Sequence, residues 1–256
     1  MPLHFSCTMC GRCCHGLRLP LSLAESLTWI ENGGSVEVFC EAIPWPEEPA
    51  ADNGLAWHKR KRSFLAASGS LPVRVIVTLV ASFSGACPNL REDMGCGIYE
   101  RRPTACRVYP AEVNPFISVD PAIKLCPPEA WQQREVLQND DGTWADPVVA
   151  AAVVRRREDD YEEAMAKGDL CARLGITEAG LSNEGTVVYS PAPAHLREAL
   201  EATLAARATT GTEHAPPWTL VSHRLRTMWL LESAGARATQ SVDLAEGRRF
   251  VAFVDA

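Results

Sequence analysis

Hydrophobic and polar residues alternate with two periods along the 256 residues. Ser22-Leu23-Ala24-Glu25 opens the first helical stretch as a capping box, with serine at the helix start and glutamate three residues later. Leu23, Leu27 and Ile30 follow at helical spacing, and Gly33-Gly34 stops the helix where a left-handed residue is wanted. Val36 and Val38 alternate about Glu37 and predict a short strand. The β-branched run from Val73 to Phe83 reads as a buried strand, and Ile43 to Pro49 as a rigid surface loop. Asn139-Asp140-Asp141-Gly142 is turn chemistry and marks a joint. Beyond it, Pro147 to Lys167 predicts a helix that begins at proline and closes at Gly168. Two more helices are expected, roughly Ala194 to Ala208 and Pro217 to Ser233. Thr186 to Tyr189 and Arg249 to Val254 read as short strands.

Composition changes this picture at one point. With 46% hydrophobic and 22% charged residues the chain is ordinary globular material, long enough to bury roughly 70–75% of its unfolded surface. It therefore needs no disulfides to fold, yet it holds ten cysteines. Nine lie between residues 7 and 126; only Cys171 lies beyond. The expected fold is α+β, with an irregular cysteine-rich metal-binding module of short helices and strands at 1–139. A mainly helical C-terminal region at 140–256 is expected to pack against it.

Charge and targeting signals narrow the function classes. The net charge is -7, which argues against binding nucleic acid through its phosphates. The one basic run, His58-Lys59-Arg60-Lys61-Arg62, reads as a solvated loop or a charge counterweight. No apolar run approaches the ~20 residues that span a bilayer, so no membrane is expected. Met1 to Phe5 lacks a charged segment backed by an apolar one. The protein is expected in the cytoplasm, where thiols stay reduced and serve as ligands or catalysts rather than bridges.

The first cysteine group, Cys7, Cys10, Cys13 and Cys14, has the spacing C-x2-C-x2-C-C. Two intervening residues let a tight turn bring two sulfurs to one metal, as in zinc knuckles and ferredoxins. Gly11 lets the backbone bend close to such a centre. Cys13 and Cys14 are adjacent and should point in different directions, toward two metal positions or with one ligating and one packing. The second group is Cys87, Cys96, Cys106 and Cys126, of which Cys87 and Cys126 precede prolines. Eight thiolates suit two four-cysteine sites, and fewer ligands or one larger site also fit the count. Arg12, Arg101, Arg102, Arg107 and Lys124 are interleaved with the cysteines and could offset thiolate charge. Tyr99, Glu100 and Tyr109 also lie between them. His4 and His15 flank the first group as substitute ligands, whereas His58, His195, His214 and His223 read as surface or satisfied core residues. Cys40 and Cys171 stand alone and read as packing residues.

Phe5 to Cys14, Cys87 to Pro110 and Lys124 to Trp131, together with the capped helix and Gly-Gly stop between Pro20 and Val38, resemble the YkgJ-type cysteine-cluster family. It is also called the CxxCxxCC zinc- or iron-chelating domain, and the resemblance spans roughly residues 5–131. It implies metal or iron–sulfur binding by Cys7, Cys10, Cys13, Cys14, Cys87, Cys96, Cys106 and Cys126. The family includes the domain of flagellin lysine N-methylases, which implies S-adenosylmethionine-dependent protein methyl transfer as one activity. No glycine-rich nucleotide-binding fingerprint accompanies it here. Three functions follow. The first is an iron–sulfur protein, with a 4Fe-4S cluster in a redox or substrate-activating role. The second is a zinc-binding structural or interaction module, and the third a protein methyltransferase. The spacing and the Cys-Pro pairs favour the first. The expected partner is a protein or small-molecule substrate.

Overall fold

The computed structural model describes residues 1–16, 18–206, 217–244 and 246–253. In chain order it begins with β1 (Leu3–His4), β2 (Leu19–Leu21), α1 (Leu23–Glu31), β3 (Ser35–Pro44) and α2 (Gly54–Lys61). Next come β4 (Phe64–Ser68), β5 (Leu71–Ser82), α3 (Thr104–Val108), β6 (Val136–Gln138), α4 (Pro147–Glu162) and α5 (Ala164–Arg173). The chain continues through β7 (Glu178–Leu181), β8 (Gly185–Tyr189), α6 (Pro193–Ala206), β9 (Thr219–Ser222), α7 (Leu225–Ser233), β10 (Ala238–Gln240) and β11 (Arg248–Ala252). The fold is α+β. No helix among the described residues is long and apolar enough to cross a membrane. Two compact units form, one from Met1–Leu21 with Ser82–Asp159, the other from Ser22–Ala81 with Asp160–Ala256.

The first unit holds eight cysteines and little regular structure. β1 and β6 pair antiparallel, Leu3 opposite Gln138 and His4 opposite Val136. The Asn139–Gly142 segment turns as expected, inside this unit: Asn139 N–H donates to the Thr143 carbonyl at 2.8 Å and Ala145 N–H to the Leu137 carbonyl at 3.0 Å. A small core of Val108, Ala111, Ala152 and Val153, flanked by Val113, Trp144 and Val149, fixes the first turns of α4 against the segment that follows α3. Arg157 of α4 adds a bond to the Val113 carbonyl at 2.5 Å.

The second unit is built on a mixed sheet. β3 pairs β5 along one edge; along the other it runs parallel to β7 and antiparallel to β8. β9 and β10 extend the sheet beyond β7 in parallel, β11 pairs β8 antiparallel, and β4 folds back on β5. Alternation about Glu37 identified β3, but it runs on to Pro44, so Ile43 and Pro44 lie in the strand rather than a loop. α1 carries the expected capping box: Glu25 N–H donates to Ser22 Oγ at 3.1 Å, and Ser22 N–H to the Glu25 carboxylate at 2.9 Å. Gly33 ends that helix at φ 82.

Three expected helix boundaries move. The helix from Pro147 breaks at Glu163, and Gly168 sits inside α5 rather than closing it. A Cβ at Gly168 would meet the Phe64 ring at 3.2 Å, so close approach to β4, not chain reversal, selects glycine there. The helix expected from Pro217 begins only at Leu225, because Thr219–Ser222 pairs with β7 and β10 as a strand. The basic run lies on α2, capped by Asn53, rather than in a loop. His58 is buried, with Nδ1 at 2.9 Å from the Tyr161 hydroxyl. Residues 207–208, Val254 and His214 lie outside the described residues.

Candidate metal centre

All eight cysteines of the two sequence groups fall in the first unit, in two neighbourhoods that the sequence order does not separate. The first is assembled around the N-terminal loop. Phe5 N–H donates to the Glu135 carbonyl and Ser6 N–H to the Ala130 carbonyl, each at 2.9 Å. The Phe5 ring packs on Trp131 with centroids 4.9 Å apart. These contacts tie the segment entering Cys7 to the segment leaving Cys126. Met9, at φ 53, turns the chain between Cys7 and Cys10, and its N–H points at Cys7 Sγ at 3.4 Å.

The second neighbourhood is laced by backbone bonds. Cys87 N–H donates to the Cys14 carbonyl at 2.7 Å, and His15 bridges Ala86. Leu90 N–H donates to the Cys87 carbonyl at 2.9 Å, Leu90 bridges Cys96, and Gly97 N–H reaches the Asn89 carbonyl at 2.7 Å. α3 brings in Cys106, whose N–H donates to the Pro103 carbonyl at 2.9 Å. Gly11 adopts φ +67, and a Cβ there would sit 2.6 Å from Met94 Cε and 3.3 Å from Leu90 Cδ1. Glycine therefore lets the first cysteine loop lie directly on the loop between Cys87 and Cys96.

The electrostatics of the thiols divide them the same way. Burial raises the Cys13 thiol, and charge on Cys126, Cys7 and Cys10 raises it further, against a hydrogen bond from Cys14 that lowers it. Cys126 is raised by burial and by Cys7 and Cys10; the Tyr109 hydroxyl and the Lys124 charge act in the opposite direction. Cys14 is pushed up to about 12 by burial, then by Cys13, Cys87 and Cys96. Cys106 is also pushed up to about 12, by burial first and then by Cys87, Cys14, Cys13 and Cys96. Cys7, Cys10, Cys13 and Cys126 are thus neighbours, as are Cys14, Cys87, Cys96 and Cys106, with Cys13 acting on Cys14 and Cys106 as well. The adjacent Cys13 and Cys14 face different sets while their thiols touch through a hydrogen bond.

Donor type, number and grouping fit soft, thiophilic metal ions or an iron–sulfur centre. Among the described residues, no three His, Cys, Asp or Glu side chains are already spaced to hold a metal ion. A metal binding to these thiols must displace their protons.

The neighbouring side chains take varied parts. Tyr109 accepts from Leu125 N–H at 2.7 Å, and its hydroxyl is hydrogen-bonded to Cys126. Burial and the Cys126 contact help push that phenol up to about 12. Lys124 pairs with Glu112 and lies 5.7 Å from the Tyr109 ring centroid. Arg107 donates to the Glu100 and Arg102 carbonyls at 2.7 and 3.0 Å, bracing the loop before α3. Arg102 stacks 3.6 Å over the Tyr99 ring. Arg12 and Arg101 are exposed. His4 Nδ1 lies 3.2 Å from the Arg134 carbonyl and His15 Nδ1 3.0 Å from the Gly11 carbonyl, so both rings engage backbone. Thr104 and Arg107 of α3, with Pro147, Val148, Ala151 and Arg155 of α4, line an open cavity of about 450 Å³.

Two features escaped the sequence. Cys40 on β3 and Cys171 on α5 are fully buried, as packing residues should be, yet they meet each other through a thiol hydrogen bond. Cys126 belongs with the first cysteine group rather than the second. No sequence signal pointed there: Cys126-Pro127 repeats the Cys-Pro pattern of Cys87-Pro88, in the other group.

Residues 6–127 match the family model described as "CxxCxxCC: Putative zinc- or iron-chelating domain". The segment is similar to that family. No curated protein and no solved structure matches the chain. The CxxCxxCC segment covers all eight thiols of the two sets, and Cys40 besides.

Proposed function

We propose that the CxxCxxCC segment holds two cysteine-ligated centres, one on Cys7, Cys10, Cys13 and Cys126 and the other on Cys14, Cys87, Cys96 and Cys106. Both are proposed as iron–sulfur clusters of the 4Fe-4S type, in a redox or substrate-activating role. The observation that carries this reading is the division of eight thiols into two sets of four across the Cys13-Cys14 doublet. Four thiolates per centre is the ligand count of such clusters, and hydrogen bonds to sulfur tune their potential. When bound, a cluster held by four thiolates would supply one-electron transfer, and an electrophilic iron only where one thiolate yields its place to a substrate. The chain's own residues hold and shield: Met9 N–H and the Tyr109 hydroxyl donate to sulfur, and Lys124 offsets thiolate charge.

Contact between the Cys13 and Cys14 thiols favours a second reading, two small zinc ions side by side in closed structural sites. Anaerobic purification followed by iron, zinc and acid-labile sulfide analysis separates the two. The iron–sulfur reading expects visible absorption that bleaches on reduction, with iron and sulfide in equal amounts. A colourless protein with two zinc ions and no sulfide sinks it. Calorimetric titration with S-adenosylmethionine tests methyl transfer as the activity served.

A further inference from the structure

The two cysteine sets stand in different surroundings. In the Cys14 set, the backbone bonds from Cys87 to Cys14 and from Leu90 to Cys87, with the Leu90–Cys96 bridge, join three of the four ligand segments. The fourth, Cys106, follows the buried Pro103 and precedes Val108, which is 3% exposed. In the other set, Cys7 is exposed, and its neighbours form an apolar rim open to solvent: Met9 is 52%, Leu125 44% and Ile123 72% exposed. Its sulfurs also have dedicated donors. Leu125 N–H holds the Tyr109 oxygen at 2.7 Å, which leaves the hydroxyl proton for Cys126, and Met9 N–H lies 3.4 Å from Cys7 Sγ.

We infer that the two centres divide their labour: the Cys7–Cys10–Cys13–Cys126 centre is the exchangeable, solvent-facing one, held by the Tyr109 hydroxyl bond, and the Cys14–Cys87–Cys96–Cys106 centre is closed. The inference rests on the two-centre reading proposed above. On segments already joined by backbone bonds, a released sulfur stays beside the metal and rebinds before the others let go, so such a centre gives up its metal slowly. Cys126 is different. Its segment is tied to the Cys7 loop by the Ser6–Ala130 bond, but its sulfur is oriented by one side-chain donor, and water reaches the neighbouring Cys7. A hydroxyl donated to a coordinated thiolate draws off negative charge and fixes the sulfur's direction, so Tyr109 is a positioning residue for this centre. Removing such a partner typically weakens metal binding about 10- to 100-fold.

The test uses the full chain loaded with cobalt(II) or zinc, ions that bind four-thiolate sites whichever metal is native. Metal release to a chromogenic chelator should show two phases of equal amplitude. Cys126→Ser should abolish the fast phase alone, and Cys96→Ser the slow phase alone. Tyr109→Phe should accelerate the fast phase about 10- to 100-fold and leave the slow phase unchanged. In the Cys96→Ser background, it should also move the thiolate-to-cobalt absorption to lower energy, which a change in packing alone would not do. A stoichiometry of two metals released in a single phase overturns the division of labour, as does loss of the fast phase in Cys96→Ser. A stoichiometry of one overturns the two-centre reading, and this inference with it. An unaltered fast phase and spectrum in Tyr109→Phe overturn the positioning role.

Discussion

Gly11→Ala tests how the two cysteine-bearing loops are packed. At φ +67 an L-residue pays about 1–2 kcal/mol for the left-handed conformation. The new methyl would also approach Met94 Cε to 2.6 Å and Leu90 Cδ1 to 3.3 Å. Overpacking of this kind costs about 1–3 kcal/mol, and the end of a methionine chain yields easily, so the lower figure applies. The expected destabilisation is about 2–3 kcal/mol. Gly85 provides the control: it has φ +79 but nothing within 4 Å of a built Cβ, so Gly85→Ala should cost only about 1–2 kcal/mol. A double-mutant cycle in urea between Gly11→Ala and Met94→Ala isolates the contact. With Met94 truncated, Gly11→Ala should keep the conformational cost and lose the steric one, a coupling of about 1 kcal/mol. Additive effects within about 0.5 kcal/mol would refute the packing argument, since contact-free pairs behave that way. A destabilisation no larger than that of Gly85→Ala would refute it equally.

Two further predictions concern other parts of the chain. Burial pushes the Glu41 carboxyl up to about 7 against the charges of Arg62 and Lys59, so the folded state holds its proton where the unfolded chain, near the ordinary 4.5, has released it. Stability from this group is therefore full below 4.5 and lost as pH rises to 7; Glu41→Gln should match the parent near pH 4 and exceed it by about 3 kcal/mol above pH 7. Parallel stability–pH curves for the two proteins, measured under the same metal conditions, would count against it. Chelator treatment should open the eight thiols of the first unit to an aromatic disulfide reagent, while Cys40 and Cys171, at 0% and 1% exposure, react only after denaturant is added; fast reaction of all ten without denaturant would contradict their burial.

Features that depend on a few neighbouring residues were legible in the sequence. The capping box and the Gly33 stop form from bonds within one turn of each other, and β5 announces itself through β-branched side chains. Features fixed by distant partners were not. Gly168 obeys the rule for a helix stop, but its neighbour is Phe64 on β4, about which local pattern says nothing. Thr219 to Ser222 reads as part of a helix until β7 and β10 are present to pair with it. The same division runs through the metal centre. That Cys13 and Cys14 should face different ways is an expectation from adjacency; their thiols meet through a hydrogen bond, while the other cysteines acting on each differ. Which distant cysteine joins which member of the doublet depends on how Phe5 and Ser6 dock near Trp131 and Ala130, a contact no spacing rule contains.

The doublet also explains why the cysteines can lie so far apart in the chain. A metal that gathers ligands from remote segments must overcome the loop-closure entropy that separates them, unless folding has already closed the loops. Here it has. The loop from Cys14 to Cys87 is closed by a 2.7 Å backbone bond, and the loop from the N-terminal segment to Cys126 by β1–β6 pairing and the Phe5–Trp131 contact. Metal then has only thiol protons to displace and short side-chain motions to draw together. Such a protein should retain the core of its first unit when the metal is removed, because Val108, Ala111, Ala152 and Val153 pack without help from any sulfur. That core is therefore expected to stand without metal as its staple.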